Sequence, residues 1–348
     1  MRSADPRVLS VIQKAVASEE EATSRAALDT LLRLDVEPKD LLPVLVQALG
    51  NPSAGTVAYA GTLLSTMADA GLPILMSALE NEDPRIRAGA LLSLAGMQVP
   101  TEDQWRILDR YLGVPDPEVR VAALQAAKLW KSFDAEKLTD LLRALEDSNE
   151  TARTIAVNLC GQLKEHEKVL VPPLLSMLDE GQAPAPGAGP RARSNVPGVL
   201  ASLAGDDPVV RGRILKAIED GDPLVRMEAI GALVKLGENS TALREALSRV
   251  LNENGPIADL ENYYRVREFA ADSLISLGHP DLVLGALRSP EKNVRSAAAR
   301  TLGSSRPEVR GAREALEALL VDEKDAGVAG ATRGALDAIA INSSLDSP

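Results

Sequence analysis

Few residues of this 348-residue chain have side chains suited to catalysis or metal binding. Its two histidines are His166 and His279, and its single cysteine is Cys160. Only His166-Glu167 has the form of a metal-binding His-Glu pair, and one such pair is too few for a metal site. His279 precedes Pro280 at a predicted turn, where a solvated side chain is expected. Cys160 falls at a predicted core position, which favours a buried thiol over a nucleophile.

Other common catalytic patterns are missing from the sequence. It contains no GxxxxGK(S/T) phosphate-binding loop and no glycine-rich segment between a strand and a helix. Its carboxylates are numerous, but they fall in predicted turns rather than in a paired acid-base arrangement. We therefore predict no catalytic, cofactor-binding or metal-binding residues, and a protein that is not an enzyme.

Charge and composition narrow the class of protein further. The 38 Lys and Arg against 50 Asp and Glu give a net charge of -12, which disfavours binding to nucleic acid. No apolar run has the length of a signal peptide or a membrane span, so we expect no membrane contact and a cytoplasmic location. Aromatic residues make up only 2% of the chain, which argues against one large core built around a single centre.

A repeat of about 34 residues runs through the chain. Its clearest copies begin at Asp83-Pro84, Asp116-Pro117 and Asp222-Pro223, and each is followed by an aliphatic residue and an arginine. We call the position of this arginine the anchor. Ten anchors can be placed, and they are Ser24, Ala58, Arg87, Arg120, Arg153, Arg193, Arg226, Arg267, Arg295 and Ala329.

Positions that did not define the repeat support it. The residue three places after the anchor is alanine in seven of the ten copies, and the residue seven places after it is leucine in seven. Both offsets lie on one face of a helix, so each copy contains an amphipathic helix. We call it helix B, since an apolar helix A precedes it in each copy. In the turn between them an aspartate suits the N-cap and the following proline suits the first helical position.

The paired helices, the proline in the first helix and the Asp-Pro-x-Val-Arg turn resemble the HEAT-repeat family over about residues 6–340. The resemblance implies an all-α fold, a right-handed α-solenoid of about ten helical hairpins forming a single domain over residues 1–348. Within it, Gly181–Pro190 is predicted to be a flexible loop, and residues 341–348 a disordered tail. The anchor arginine can pair with its own cap aspartate or with the equivalent acid of the next repeat.

A surplus of acids in the A-to-B turns indicates where a partner would bind. One acid per turn is explained by capping, and the second or third can attract a basic segment of another protein. A long repeat interval also leads into two adjacent tyrosines. The predicted partner-binding residues are Glu82, Glu146, Asp147, Glu150, Asp220, Tyr263 and Tyr264.

The function predicted from these features is a protein-protein interaction scaffold or adaptor with an acidic edge. In this reading the B helices line a concave face. The alternative is an accessory factor of the bilin-lyase-like or chaperone-like HEAT class, acting on a bound subunit or cofactor. No residue of this chain can be assigned to that role from the resemblance.

Overall fold

The computed structural model describes residues 5–34, 37–67, 71–97, 101–130, 138–179, 192–253 and 260–345. These residues form 20 α-helices and no strand, so the all-α prediction is confirmed. Contacts divide the chain into two compact units, residues 1–159 and 160–348. The predicted loop Gly181–Pro190 lies outside the described residues. In the described part of the chain, no helix combines the length and the hydropathy that crossing a membrane requires.

Unit 1 is built from five consecutive helical hairpins, each made of one A and one B helix. Within each hairpin the odd-numbered helix is A and the even-numbered helix is B. The helices are α1 (Pro6–Val16), α2 (Glu21–Arg33), α3 (Pro38–Ala48), α4 (Ala54–Thr66), α5 (Gly71–Ala78), α6 (Pro84–Ala95), α7 (Thr101–Tyr111), α8 (Pro117–Trp130), α9 (Leu138–Leu145) and α10 (Glu150–Cys160), whose last residue opens unit 2.

Unit 2 repeats the hairpin five times after a short 3-10 helix at Lys164–His166. Its helices are α11 (Glu167–Asp179), α12 (Ala192–Ala204), α13 (Pro208–Ala217), α14 (Pro223–Lys235), α15 (Thr241–Asn252), α16 (Leu260–Ser276), α17 (Pro280–Ala286), α18 (Lys292–Ser304), α19 (Ala312–Asp322) and α20 (Ala326–Leu345). All ten anchors therefore lie on B helices, as the repeat predicts.

The repeat positions form the core as predicted. All ten residues three places after an anchor are buried, and eight of the ten residues seven places after it are buried. The two exceptions, Ser65 and Leu336, are partly exposed. Small residues at the first position let successive B helices pack closely within each unit, because no long side chain separates them.

The turn chemistry also matches the sequence prediction. The Asp83 carboxylate accepts a hydrogen bond of 2.9 Å from the backbone N–H of Arg85, and that of Asp222 accepts one of 2.9 Å from Leu224. In both turns proline is the first helical residue, where its missing N–H costs nothing. The sequence thus fixes where these two B helices begin.

The C-terminal residues differ from the predicted disordered tail. Residues 341–345 continue α20, which ends at Leu345. The side-chain oxygen of Asn342 accepts a 2.6 Å hydrogen bond from the Arg306 guanidinium, and Ile339, one turn earlier, is buried. Residues 346–348 lie outside the described part of the chain.

Candidate functional site

The A-to-B turns of unit 1 contain a buried ion pair that joins two repeats. The guanidinium of Arg120, on α8, donates to both carboxylate oxygens of Asp147 at 2.6 and 2.7 Å. The Asp147 side chain is only 7% exposed and also accepts a 2.8 Å hydrogen bond from the backbone N–H of Asn149. The same arginine donates to the carbonyl oxygens of Val114 and Pro115 at the preceding turn. One side chain thus fixes two successive turns.

The same connection recurs in unit 2. The Arg295 guanidinium donates to both carboxylate oxygens of Glu323 at 2.7 and 2.9 Å, and to the carbonyl oxygens of Ser289 and Pro290 at 2.9 Å. In each case the acid follows its arginine by 27 or 28 residues. The pairs between an anchor arginine and an acid of the next turn are Arg120–Asp147, Arg193–Asp220, Arg226–Glu253 and Arg295–Glu323, and Glu253 differs from the other acids because its side chain is 42% exposed. These arginines pair with the next repeat, as one of the two predicted alternatives states. The acid is not the cap residue, however, because Arg193 pairs with Asp220 while Asp222 caps the helix.

A second kind of pair also crosses the A-to-B turns, but in solvent. Glu219 accepts a 2.8 Å hydrogen bond from Arg249 of the next A helix, and both side chains are more than half exposed. Glu80 and Arg110 make the equivalent pair in unit 1, with exposed fractions of 54% and 58%. Exposed ion pairs of this kind contribute little to stability and can exchange partners.

The predicted partner-binding residues therefore fall into separate groups. Glu82 and Glu146 are exposed. Glu150 begins α10 and pairs with Arg153, its side chain being 40% exposed. Asp147 and Asp220 are largely buried by their arginines.

Two tyrosines were also predicted to bind a partner, and two pairing acids were not predicted. Tyr263 and Tyr264 lie on α16, but their side chains are outside the described residues, so their role stays a prediction. Sequence reasoning missed Glu253 as a pairing acid and did not single out Glu323. The spacing of 27 or 28 residues from an anchor arginine is the signal that could have identified both.

The arginines shift the acidity of their partners. Hydrogen bonds from Arg120 hold the pKa of Asp147 below its usual value, against an opposing effect of burial. Hydrogen bonds from Arg295 do the same for the pKa of Glu323, helped by the backbone N–H of Asp325. Both carboxylates are thus held ionised, which keeps the connections between repeats intact at neutral pH.

Acid should therefore destabilise the fold through these pairs. The pKa of each carboxylate is lower in the folded chain than in the unfolded chain, where it is 3.8 for Asp and 4.5 for Glu. The stability that each ion pair contributes is therefore present above the unfolded pKa, and it is lost as the pH falls through the folded pKa. We expect a melting temperature that is nearly constant from about pH 7 to 5.5 and that falls below about pH 4.5. Calorimetry of the wild type and of Asp147→Asn checks this. The variant should show a weaker pH dependence, and an unchanged slope would contradict the role of Asp147.

The residues that could have carried chemistry occupy structural positions. Cys160 is fully buried, and burial raises the pKa of its thiol to about 12. The His279 ring lies 3.1 Å from the side-chain oxygen of Asn239, and His166 lies 3.8 Å from the carboxylate of its neighbour Glu165. Among the described residues, no three His, Cys, Asp or Glu side chains converge to hold a metal ion.

The buried thiol gives a simple test of the packing. In the native protein at about pH 8, Cys160 should not react with a disulfide reagent such as DTNB, because the thiolate is scarce and shielded. In denaturant one equivalent should react at once. Fast reaction of the native protein, at the rate of a free thiol, would show that this position is open.

The architecture and the paired turns define the class of the chain, a helical-repeat protein of stacked hairpins. Residues 255–337 match the family model described as HEAT repeats. The HEAT-repeat interpretation of the sequence is therefore confirmed for these residues, about a quarter of the chain. Among curated protein sequences, none matches this chain.

Solved structures share this fold at low sequence identity. Yeast importin-β (Kap95p) matches with a TM-score of 0.53 and 13% identity, over 97% of this chain and 57% of that one. Kap121p bound to Ste12p matches with a TM-score of 0.55 and 14% identity, over 96% and 41%. Kap121p bound to Pho4p gives 0.52 and 15%, over 97% and 46%. The chain thus spans about half the length of these proteins.

Proposed function

We propose that this chain is a non-catalytic scaffold that binds basic segments of other proteins through carboxylates at its A-to-B turns. The observation that carries the proposal is the division of the turn acids into two sets. One set, which includes Asp147, Asp220 and Glu323, is largely buried and holds the repeats together. The other set, with Glu82 and Glu146 in unit 1, remains exposed to solvent.

The division assigns different roles to neighbouring acids. Asp147 fixes the turn and leaves little surface for a partner, because its side chain is 7% exposed. Glu146, the residue before it, is exposed and close to the same turn. Local capping explains one acid per turn, and the exposed acids are in excess of that need. In a chain of net charge -12, their field attracts cationic segments and accelerates association.

The comparisons give the proposal limited support. Kap121p, which shares the fold, is described as bound to Pho4p and to Ste12p, so a stack of this kind can present a protein-binding surface. Because identity is low, the partners of Kap121p say nothing about the partners of this chain. The preference for basic segments rests on the exposed turn acids alone.

Charge reversal at the turns tests the proposal. The double variant Glu82→Lys/Glu146→Lys should lose most of the host proteins that wild type retains at about 0.1 M salt and releases at about 0.5 M, because it replaces two attracting carboxylates by cations. The two salt concentrations identify the electrostatically bound proteins, because the screening length is shorter at about 0.5 M. The measurement is a tagged pull-down followed by mass spectrometry. The matched control is Glu314→Lys/Glu317→Lys, which changes net charge equally at exposed positions of α19. Retention of the same proteins by both variants would refute the role of the turns.

A further inference from the structure

A groove free of charge lies between two B helices of unit 1. It runs between α4 and α6 and has a volume of about 360 Å³. Within the described residues its lining carries no Asp, Glu, Lys or Arg, although charged residues make up 25% of the chain. Its walls include Ala58 and Thr62 on α4, and Leu92, which is 40% exposed, on α6.

The glycine at the base of the groove explains its shape. Gly61 is buried, and a β-carbon there would collide with the hydroxyl of Ser93 on α6. The two helices therefore touch at Gly61 and Ser93. Small residues on either side of this contact leave a channel above it. This also gives a role to Ala58, the anchor that lacks an arginine inside the array, since it forms part of the wall.

The polar groups of the groove are already used as donors. Thr62 donates its hydroxyl proton to the Ala58 carbonyl at 2.8 Å, and Ser65 donates to the Thr62 carbonyl at 2.8 Å. Ser93 donates to the Gly89 carbonyl at 2.7 Å. The surface therefore offers methyl and methylene groups and hydroxyl lone pairs, which suit an apolar side chain rather than a charged one.

An acid flanks the groove where α6 begins. Glu82 is exposed two residues before α6. The nearest acid at the start of α4, Glu21, is already paired with Arg25 at 3.2 Å. Leu92 follows Glu82 by ten residues, and a rise of about 1.5 Å per helical residue puts the two roughly 12 to 15 Å apart. An extended peptide covers that distance in about four residues.

We propose that this groove binds an extended segment of a partner protein that carries an apolar side chain and, about four residues away, a lysine or arginine. The apolar side chain enters between Thr62 and Leu92, and the cation meets Glu82. The inference rests on the proposed scaffold function and specifies the kind of segment bound at this place.

The test uses a display library of random twelve-residue peptides selected on the wild-type protein. Enriched peptides should contain an apolar residue and a basic residue about four positions apart. Their fluorescein-labelled forms should bind Leu92→Asp at least tenfold more weakly than wild type, measured by fluorescence anisotropy. The control is Leu129→Asp, the same change at a leucine of α8 that is 63% exposed and outside the groove, and it should bind like wild type.

Each outcome decides the inference. A library that yields no binder, or binders that tolerate Leu92→Asp, would overturn it. Binders that need Leu92 but lack a basic residue would overturn the assigned partner chemistry. Thr62→Glu, at an exposed position of the opposite wall, repeats the test if circular dichroism shows that Leu92→Asp is misfolded. If Glu82→Lys/Glu146→Lys loses its protein partners while the groove variants keep theirs, the groove is wrong and the scaffold function stands.

Discussion

Replacing Asp147 by alanine should lower the free energy of unfolding of unit 1 by about 3 kcal/mol. The substitution leaves the Arg120 guanidinium, whose side chain is 13% exposed, without the carboxylate that compensates its charge. It also removes the acceptor for the backbone N–H of Asn149. For a unit of this size the loss corresponds to a fall in melting temperature of roughly 6 to 12 °C. Urea denaturation followed by circular dichroism measures it.

The exposed pair between repeats supplies the control. Glu80→Ala removes the partner of Arg110 at the same kind of turn, but both side chains are more than half exposed. Water replaces the lost carboxylate, so the expected cost is below about 1 kcal/mol. A double-mutant cycle of Arg120→Ala and Asp147→Ala then isolates the coupling between the two residues. Equal losses at Glu80 and Asp147 would show that burial does not separate the two kinds of pair.

The sequence alone predicted the helical hairpins, but not which ion pairs are buried and which are exposed. Periodicity predicted ten hairpins, because each B helix must bury the same two positions, and the structure buries nearly all of them. Asp-Pro predicted the starts of several B helices, because capping is a local interaction. These features depend on residues within one repeat or on the same position of successive repeats.

The candidate site depends on contacts over longer separations, and there the sequence was ambiguous. Asp147 and Glu146 are adjacent acids in one turn, and nothing local says which of them meets an arginine 27 residues earlier. The choice depends on how two hairpins stack, which sets the exposed fraction of each carboxylate. The groove between α4 and α6 was equally hidden, since it depends on Gly61 and Ser93 meeting across two repeats.

Alanine in place of glycine should have opposite effects at two places in unit 2. At Gly303 on α18, a β-carbon would lie 2.5 Å from the α-carbon of Ala335 on α20 and 2.6 Å from its β-carbon. Because the nearest atom belongs to the backbone, the two helices must move apart. We expect Gly303→Ala to destabilise unit 2 by about 1 to 3 kcal/mol.

The same substitution at Gly334, within α20, meets nothing within 4 Å. Glycine inside a helix costs roughly 0.5 to 1 kcal/mol relative to alanine, so Gly334→Ala should raise the stability of unit 2 by that amount. Urea denaturation of both variants gives the two signs directly. Both variants replace a helical glycine by alanine. They differ in that the new methyl group meets a neighbouring helix at residue 303 and nothing within 4 Å at residue 334.

A compensating change separates a steric effect from a change in helix propensity. In Gly303→Ala/Ala335→Gly the β-carbon of residue 335 is gone, but its α-carbon still lies 2.5 Å from the new methyl group. We therefore expect Ala335→Gly to relieve only part of the steric cost of Gly303→Ala. A glycine inside α20 also costs about 1 kcal/mol by itself, and this cost must be subtracted before the relief is read from the double variant. Stability equal to that of wild type for Gly303→Ala alone would mean that α18 and α20 can separate freely. Close packing of successive B helices, which the small residues of most repeats imply, would then not be what holds unit 2 together.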